Sequence, residues 1–131
     1  MPQEIVGGSH VDKRGALRFC NDFDMSAVRR FYTIANSVEC PVRGWIGHRK
    51  ETKWFFPLRG VTIIVVEGFN AETQRGRVRR EEFILDANEP CVLMVSPGNW
   101  FYIEQHDGAE VMVFSDCKVG EFENDDFRRP L

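Results

Sequence analysis

Histidine, cysteine and tyrosine are scarce in this chain of 131 residues, which has three His, four Cys and two Tyr. The cysteines are Cys20, Cys40, Cys91 and Cys117. They are far apart and form no C-x-x-C pair, which argues against a zinc site of the usual spacing. We expect reduced, mostly buried thiols, as in a cytoplasmic protein.

Long hydrophobic runs and a signal peptide are also missing. The N-terminus is polar and the longest apolar runs are far too short to span a bilayer, so we expect a cytoplasmic protein without a membrane partner. The net charge of −3 argues against a nucleic-acid partner. Short basic runs near residues 49–53 and 75–80, and an acidic run near 121–126, are typical of solvated faces.

No stretch shows a sustained helical stripe. Short runs of β-branched and aromatic residues, separated by Gly, Pro, Asn and Asp, predict strands instead. The predicted strands are Ile5–Val6, Ala16–Phe19, Arg29–Ile34, Gly44–Gly47, Lys53–Leu58, Val61–Glu67, Arg77–Leu85, Cys91–Val95, Trp100–Glu104 and Glu110–Ser115. This spacing predicts an all-β sandwich or barrel. We expect a single domain over residues 1–131 with its core at about 10–117, a polar hairpin loop over Gly68–Gly76, and a C-terminal tail, 118–131, with one helical turn.

Five short motifs follow one another along most of the chain. They are Asp12-x-Arg14-Gly15-x-Leu17, Val28-Arg29-Arg30-Phe31-Tyr32-x-Ile34, Arg43-Gly44-Trp45-x-x-His48-Arg49-Lys50, Leu58-x-Gly60, and Val95-x-Pro97-x-x-Trp100. In this order they resemble the cupin 3,4-ketoisomerases that act on dTDP-4-keto-6-deoxyhexoses and, more distantly, the 3,5-epimerases of the same sugars. The resemblance implies a cupin jelly roll (a double-stranded β-helix) and a homodimer. It also implies a role in the synthesis of bacterial surface-polysaccharide sugars.

Three positions depart from the family pattern. The family has a first active-site histidine where this chain has Ile46, a later histidine where it has Phe101, and a glutamine where it has Lys53. Of the family's histidine set, His48 is the one that this chain keeps. A cupin metal site needs several histidines, so we expect no metal and no cofactor.

The reactions of this family begin with removal of a proton α to a carbonyl. The base needs a pKa near neutrality, which fits histidine and excludes isoleucine. Residues 46 and 48 lie on the same face of a strand, so His48 can still face the barrel interior. We take His48 and Tyr32 as the candidate catalytic residues. Structural roles for both, a single hydrogen bond for His48 and a buried ring for Tyr32, stay open. His10 and His106 lie in polar, turn-like contexts and are predicted to be at the surface.

Substrate binding is predicted at charged and aromatic residues on the motif strands. A guanidinium can bind a diphosphate or a sugar oxygen with two hydrogen bonds, and an indole can stack on a base or sugar. The candidates are Arg43, Trp45, Lys50, Lys53, Trp100 and Tyr102. A surface salt bridge for Arg43, a solvated strand position for Lys53 and a core position for Trp45 stay open.

Two interpretations of function follow. The first is a metal-independent isomerase or epimerase acting on a nucleotide-activated 4-keto sugar. The second is a cupin that binds a sugar nucleotide or another small ligand but no longer performs this chemistry. Ile46 and Phe101 favour the second, because a more apolar pocket raises the cost of burying a charged intermediate.

Overall fold

A computed structural model of the protein describes residues 2–72, 78–121 and 125–131. The described residues form strands and turns, with no helix long and apolar enough to cross a membrane. The strands are β1 (Gln3–Val6), β2 (Gly8–Asp12), β3 (Gly15–Phe19), β4 (Arg30–Ile34), β5 (Val42–His48), β6 (Lys53–Arg59), β7 (Val61–Glu72), β8 (Val78–Asp86), β9 (Cys91–Val95), β10 (Asn99–Gln105), β11 (Glu110–Ser115) and β12 (Phe127–Arg128).

Two five-stranded antiparallel sheets make up the jelly roll. The first has the order β1-β9-β6-β11-β4 and the second the order β12-β5-β10-β7-β8. Strands that are distant in sequence are neighbours in both sheets, as when β10 pairs with both β5 and β7. The all-β jelly roll predicted from the sequence is therefore confirmed. The two-stranded hairpin β2–β3 stands apart from both sheets.

The core lies between the inner faces of the two sheets. Strand β10 shows how the sequence builds it, because its residues alternate in burial: Phe101 and Ile103 are fully enclosed, whereas Trp100 and Tyr102 face outward. Strand β11 repeats the alternation with Val111 and Val113 inward. Together with residues from the other strands these form one continuous apolar cluster: Ile34, Ile46, Phe55, Ile64, Val66, Leu85, Leu93, Val95, Phe101, Ile103, Val111 and Val113.

Most strands lie where the sequence predicts them, and Cys91–Val95 and Glu110–Ser115 match to the residue. Three elements differ. Strand β2 was not predicted, because its polar sequence has no apolar alternation. The C-terminal tail forms the short strand β12 where a helical turn was expected, since its backbone pairs with β5. The predicted loop over Gly68–Gly76 is strand up to Glu72, and residues 73–77 lie outside the described residues.

The cysteines and the two surface histidines were also predicted. All four thiols are free, as expected, but Cys117 alone of the four is buried and Cys40 is exposed, so "mostly buried" was wrong. Burial raises the pKa of the Cys91 thiol to about 11, which keeps it protonated. His10 and His106 are exposed, as predicted, each beside a carboxylate two residues away.

Candidate functional site

A cavity of about 280 Å³ opens between the two sheets. Strands β4 and β6 of the first sheet form one wall, and β5 and β10 of the second sheet form the other. The C-terminal segment contributes part of the rim. The lining side chains are Arg30, Tyr32, Ile34, Arg43, Ile46, His48, Glu51, Lys53, Phe55, Phe101, Ile103, Asp126 and Arg128.

The lining combines apolar and basic side chains. Ile34, Ile46, Phe55, Phe101 and Ile103 belong to the hydrophobic core. Six further lining residues are charged, four basic and two acidic: Arg30, Arg43, Lys53, Arg128, Glu51 and Asp126. Such a cavity suits a ligand that has an apolar part and a negatively charged part.

His48 is the central polar side chain of this cavity. It lies two residues after Ile46 on β5, so both side chains face inward, and it is 5% exposed. Its Nδ1 lies 3.2 Å from the main-chain oxygen of Asp125. A carbonyl oxygen only accepts hydrogen bonds, so Nδ1 carries the proton and Nε2 carries the lone pair. Nε2 is buried and has no hydrogen-bond partner among the described residues.

The surroundings lower the pKa of His48 below its ordinary value of 6.5. Burial is the main cause, because it disfavours the imidazolium, and the positive charge of Lys53 acts in the same direction. The charges of Glu51 and Asp126 and the hydrogen bond to Asp125 oppose the shift without cancelling it. His48 is therefore neutral at neutral pH, with the protonation state that a general base requires.

Two buried carboxylates lie on the Nδ1 side of the His48 ring. Its Nδ1 lies 3.6 Å from Glu51 Oε1 and 3.8 Å from Asp125 Oδ2. Glu51 Oε2 accepts hydrogen bonds from the Ser115 hydroxyl and, at 3.3 Å, from Arg30. The Asp125 carboxylate accepts the main-chain N–H groups of residues 49, 50 and 51 at 2.9–3.2 Å.

These three residues also form the group that best fits a metal ion in the described part of the chain. One donor atom each from His48, Glu51 and Asp125 lies within 4.8 Å of the others. However, Nδ1 carries a proton and both carboxylates already accept hydrogen bonds. A cation would have to displace those contacts. The arrangement therefore fits a hydrogen-bonded support for His48 better than a metal centre.

Lys53 lies opposite His48 on the first residue of β6 and is 9% exposed. Its Nζ is 5.7 Å from the centre of the Tyr32 ring and 5.6 Å from that of Phe101. The Lys53 ammonium makes no hydrogen bond or ion pair with the residues that the structure describes. A buried ammonium held by two aromatic faces has its N–H donors available to a ligand oxygen.

The structure brings together some of the residues predicted for the site. Tyr32, Arg43, His48 and Lys53 line the cavity. Lys50 is exposed in the turn after β5, away from the cavity lining.

The aromatic residues Trp45, Trp100 and Tyr102 lie on the outer face of the second sheet. The centres of the Trp45 and Tyr102 rings lie 4.9 Å apart. The Arg129 guanidinium lies over the indole rings of Trp45 and Trp100. Trp45 faces outward because it directly precedes inward-facing Ile46, and it is also the extra residue of a bulge, since Phe101 pairs with Ile46 but Tyr102 pairs with Gly44. Substrate binding by these three residues and Lys50 stays a prediction, which this cavity does not support.

Five residues near His48 were not singled out from the sequence: Arg30, Glu51, Asp125, Asp126 and Arg128. The acidic run of the tail was interpreted as a solvated face, whereas Asp125 is 5% exposed. The tail's return to β5 is a long-range contact, and the local pattern of the tail carries no signal for it.

Known proteins with a similar fold are found among solved structures. Neither a protein-family model nor a curated protein matches the chain. Among solved structures, a sugar 3,4-ketoisomerase from Thermoanaerobacterium thermosaccharolyticum bound to TDP-4-keto-6-deoxyglucose superposes with TM-score 0.74 and 19% identity, over 98% of this chain and 87% of that one. A 3,4-ketoisomerase from Helicobacter canadensis superposes with a TM-score of 0.73 at 18% sequence identity, over 98% of this chain and 90% of that one.

A 3'-monoepimerase from Streptomyces bikiniensis in complex with dTDP-quinovose gives a TM-score of 0.78 at 15% identity, over 97% of this chain and 68% of that one. The chain has the fold of these enzymes. Both groups that the sequence motifs resemble, the ketoisomerases and the epimerases, are among its structural neighbours. At these identities the likeness concerns the fold, and the chemistry has to be argued from the cavity.

Proposed function

We propose that this protein is a metal-independent isomerase or epimerase that removes an α proton from a dTDP-4-keto-6-deoxy sugar. The observation that carries the proposal is the state of His48: a neutral imidazole in the cavity wall whose Nε2 lone pair has no partner among the described residues. Support also comes from the structural neighbours, several of which were solved with TDP or dTDP sugars.

The first step is proton transfer to His48. The C–H bond next to the C4 carbonyl breaks, its proton goes to Nε2, and the electron pair moves through the new C–C double bond onto the carbonyl oxygen. The imidazolium that forms keeps its Nδ1–H on the Asp125 carbonyl, with Glu51 and the Asp125 carboxylate within 4 Å. These two negative groups stabilise it.

Lys53 stabilises the oxyanion of the resulting enolate. Its ammonium lies in the cavity without a carboxylate partner among the described residues, so its positive charge is directed to the ligand. Tyr32, whose ring contacts both Arg30 and Lys53, supplies a proton to the enolate. Return of a proton to the same carbon from the opposite face gives an epimer. For a 3-keto isomer, Tyr32 protonates the C4 oxygen, the His48 imidazolium protonates C4, and the C3 hydroxyl returns its proton to Tyr32 as the carbonyl forms at C3.

The basic rim binds the diphosphate of the nucleotide. Arg43 is exposed at the cavity edge, and Arg128 lies there on the C-terminal strand. Guanidinium groups bind phosphate oxygens in pairs of hydrogen bonds and keep their charge at all relevant pH values. Their position on the rim leaves the apolar floor to the 6-deoxy sugar, whose C6 methyl group is apolar.

A second candidate function is ligand binding without turnover. The observation that favours it is the apolar floor with buried Ile46 and Phe101, two positions where the sequence resemblance leads us to expect histidines. In this alternative the cavity binds a sugar nucleotide or another small anionic ligand, and His48 donates or accepts one hydrogen bond. Both functions share the same cavity and differ in proton transfer.

Proton NMR of dTDP-4-keto-6-deoxyglucose with the protein in heavy water separates these functions. Loss of the signal at C3 or C5 reports α-proton abstraction. Intact sugar protons with line broadening on the nucleotide would overturn the enzymatic proposal and support ligand binding. Unbroadened and unchanged spectra would contradict both for this sugar.

We also propose a cytoplasmic homodimer, in which the N-terminal hairpin contacts a second copy. The β2–β3 hairpin pairs with neither five-stranded sheet, and an isolated two-stranded ribbon is marginally stable in water. Two of its apolar side chains, Val11 and Leu17, are 72% and 59% exposed. Contact with a second copy would cover them.

A further inference from the structure

The C-terminal residues 125–131 connect the outer face of the second sheet to His48. Strand β12 lengthens the sheet at the edge of β5, where Phe127 pairs with Gly47 and Arg128 with Ile46. Beyond it, Arg129 exchanges both main-chain hydrogen bonds with Trp45 at 3.2 Å. Before it, Asp125 binds the turn after β5 and the imidazole of His48. The segment therefore contains Asp125, the residue that orients the proposed base His48.

A two-residue strand with one further pair of main-chain hydrogen bonds is a short ladder, so side-chain contacts are needed to hold it on the sheet. Besides the Asp125 carboxylate, which accepts the main-chain N–H groups of residues 49, 50 and 51, the side chain of Arg129 holds this segment in place. Its two terminal nitrogens lie 3.1 Å and 3.2 Å from the two oxygens of Glu67, a bidentate pair with a buried carboxylate of β7. Arg80 binds the same carboxylate at 2.9 Å.

Two indole rings also contact the Arg129 guanidinium. Its carbon atom lies 4.4 Å from the centre of the Trp45 ring and 4.9 Å from that of Trp100. Arg129 thus bridges β5, β10 and β7 with one side chain. A planar, stacked and bidentate group of this kind resists substitution even by lysine.

We propose that Arg129 is a positioning residue for His48, acting through the C-terminal segment. By holding residues 125–131 in register, it keeps the Asp125 carbonyl on Nδ1 and so fixes the tautomer that leaves the lone pair on Nε2. Release of the segment removes that acceptor and admits water to a wall of the cavity. This inference rests on the proposed function only in naming His48 as the base, since the linkage itself is structural.

The test is nitrogen–proton NMR of the His48 ring in the whole protein, without substrate. In the wild type we expect the Nδ1–H tautomer and a pKa below 6.5. In Arg129→Ala we expect a mixture of tautomers and a higher pKa, because the imidazole becomes hydrated. Arg129→Lys should fall between the two. Arg59→Ala is the matched control, since Arg59 pairs with Glu110 at the other end of β6.

Amide hydrogen exchange provides a second, local readout. In Arg129→Ala the amides of residues 49, 50 and 51 should lose protection, because Asp125 no longer accepts from them, whereas the β6–β11 amides keep theirs. An unchanged His48 tautomer and unchanged protection of these amides would overturn the proposal. So would equal loss of protection throughout the sheets, which would make Arg129 a general stability residue. Because no substrate is present, neither result depends on whether the protein turns over a sugar nucleotide.

Discussion

At the scale of single residues, burial decides what His48 can do. An exposed histidine with a pKa of 6.5 is partly charged near neutrality, whereas the buried ring of His48 is neutral. Its tautomer follows from one contact, the Asp125 carbonyl on Nδ1. Neighbouring Lys53 discourages protonation in the resting state, and Glu51 stabilises the proton once the ring has accepted it.

The depressed pKa of His48 makes stability depend on pH. Between the folded-state pKa and the unfolded value of 6.5, the unfolded chain binds more protons, so acid favours unfolding. The contribution of neutral His48 is complete above pH 6.5 and is lost as the pH falls below it. We expect His48→Asn to flatten this part of the profile of unfolding free energy against pH, measured by urea denaturation. An unchanged profile would contradict the shifted pKa.

A histidine at position 46, where the resembled sequence motif has one, should cost stability. Ile46 is packed in the core cluster with Phe55 and Phe101 on the apolar floor of the cavity, where an imidazole would replace apolar contacts and lose part of its hydration. Ile46→His is expected to lower the free energy of unfolding by about 1–3 kcal/mol. Ile46→Val, which removes one methyl group and buries no polar atom, is the control and should cost about 0.5–1.5 kcal/mol. Equal stability of wild type and Ile46→His would show that this floor tolerates a polar group.

At the scale of elements, the strands that alternate in apolar residues were predictable from sequence. Strands β9 and β11 match their predicted limits because alternation and turn residues mark both ends. The same reasoning placed His48 and Ile46 on one face. Trp45, next to Ile46, faces the opposite side, and the bulge opposite Phe101 and Tyr102 shifts the alternation so that Arg43 lines the cavity. The same reasoning missed Asp125, because the pairing of β12 with β5 joins distant segments.

Asp125 links the C-terminal segment to the turn between β5 and β6. Its carboxylate accepts three main-chain N–H groups, which Asp125→Ala would leave without an acceptor. We expect a loss of about 1–3 kcal/mol of unfolding free energy. Asp126→Ala is the matched control, since that carboxylate is more than half exposed and bonds to Arg128. Equal effects of the two substitutions in chemical denaturation would refute the capping role of Asp125.

At the scale of the whole molecule, an acidic protein carries a basic cavity. The chain has a net charge of −3, yet four of the six charged residues that line the cavity are basic. Negative charge elsewhere on the surface weakens general attraction to polyanions, and the cavity concentrates positive potential at one place. This distribution suits a small anionic ligand and agrees with the proposed sugar nucleotide.

The proposed dimer is testable at this scale. Leu17→Glu places a charge on the exposed face of the β2–β3 hairpin, where burial against a second copy would be costly. We expect light scattering to report a dimer for the wild type and a monomer, or a much weaker dimer, for Leu17→Glu. Val38→Glu changes an equally apolar residue that is 95% exposed away from the hairpin, and should leave the mass unchanged. A monomeric wild type would contradict the proposal.

The central claim is that Nε2 of His48 removes an α proton, and the most direct test is the rate of solvent-proton exchange in dTDP-4-keto-6-deoxyglucose. In His48→Asn the side-chain amide N–H can still donate to the Asp125 carbonyl, but the basic nitrogen Nε2 is absent. We expect exchange at C3 or C5 with the wild type, an unchanged rate with His106→Asn, and a rate lower by about 10²–10⁴-fold with His48→Asn. Equal exchange rates for the wild type and His48→Asn would contradict the claim.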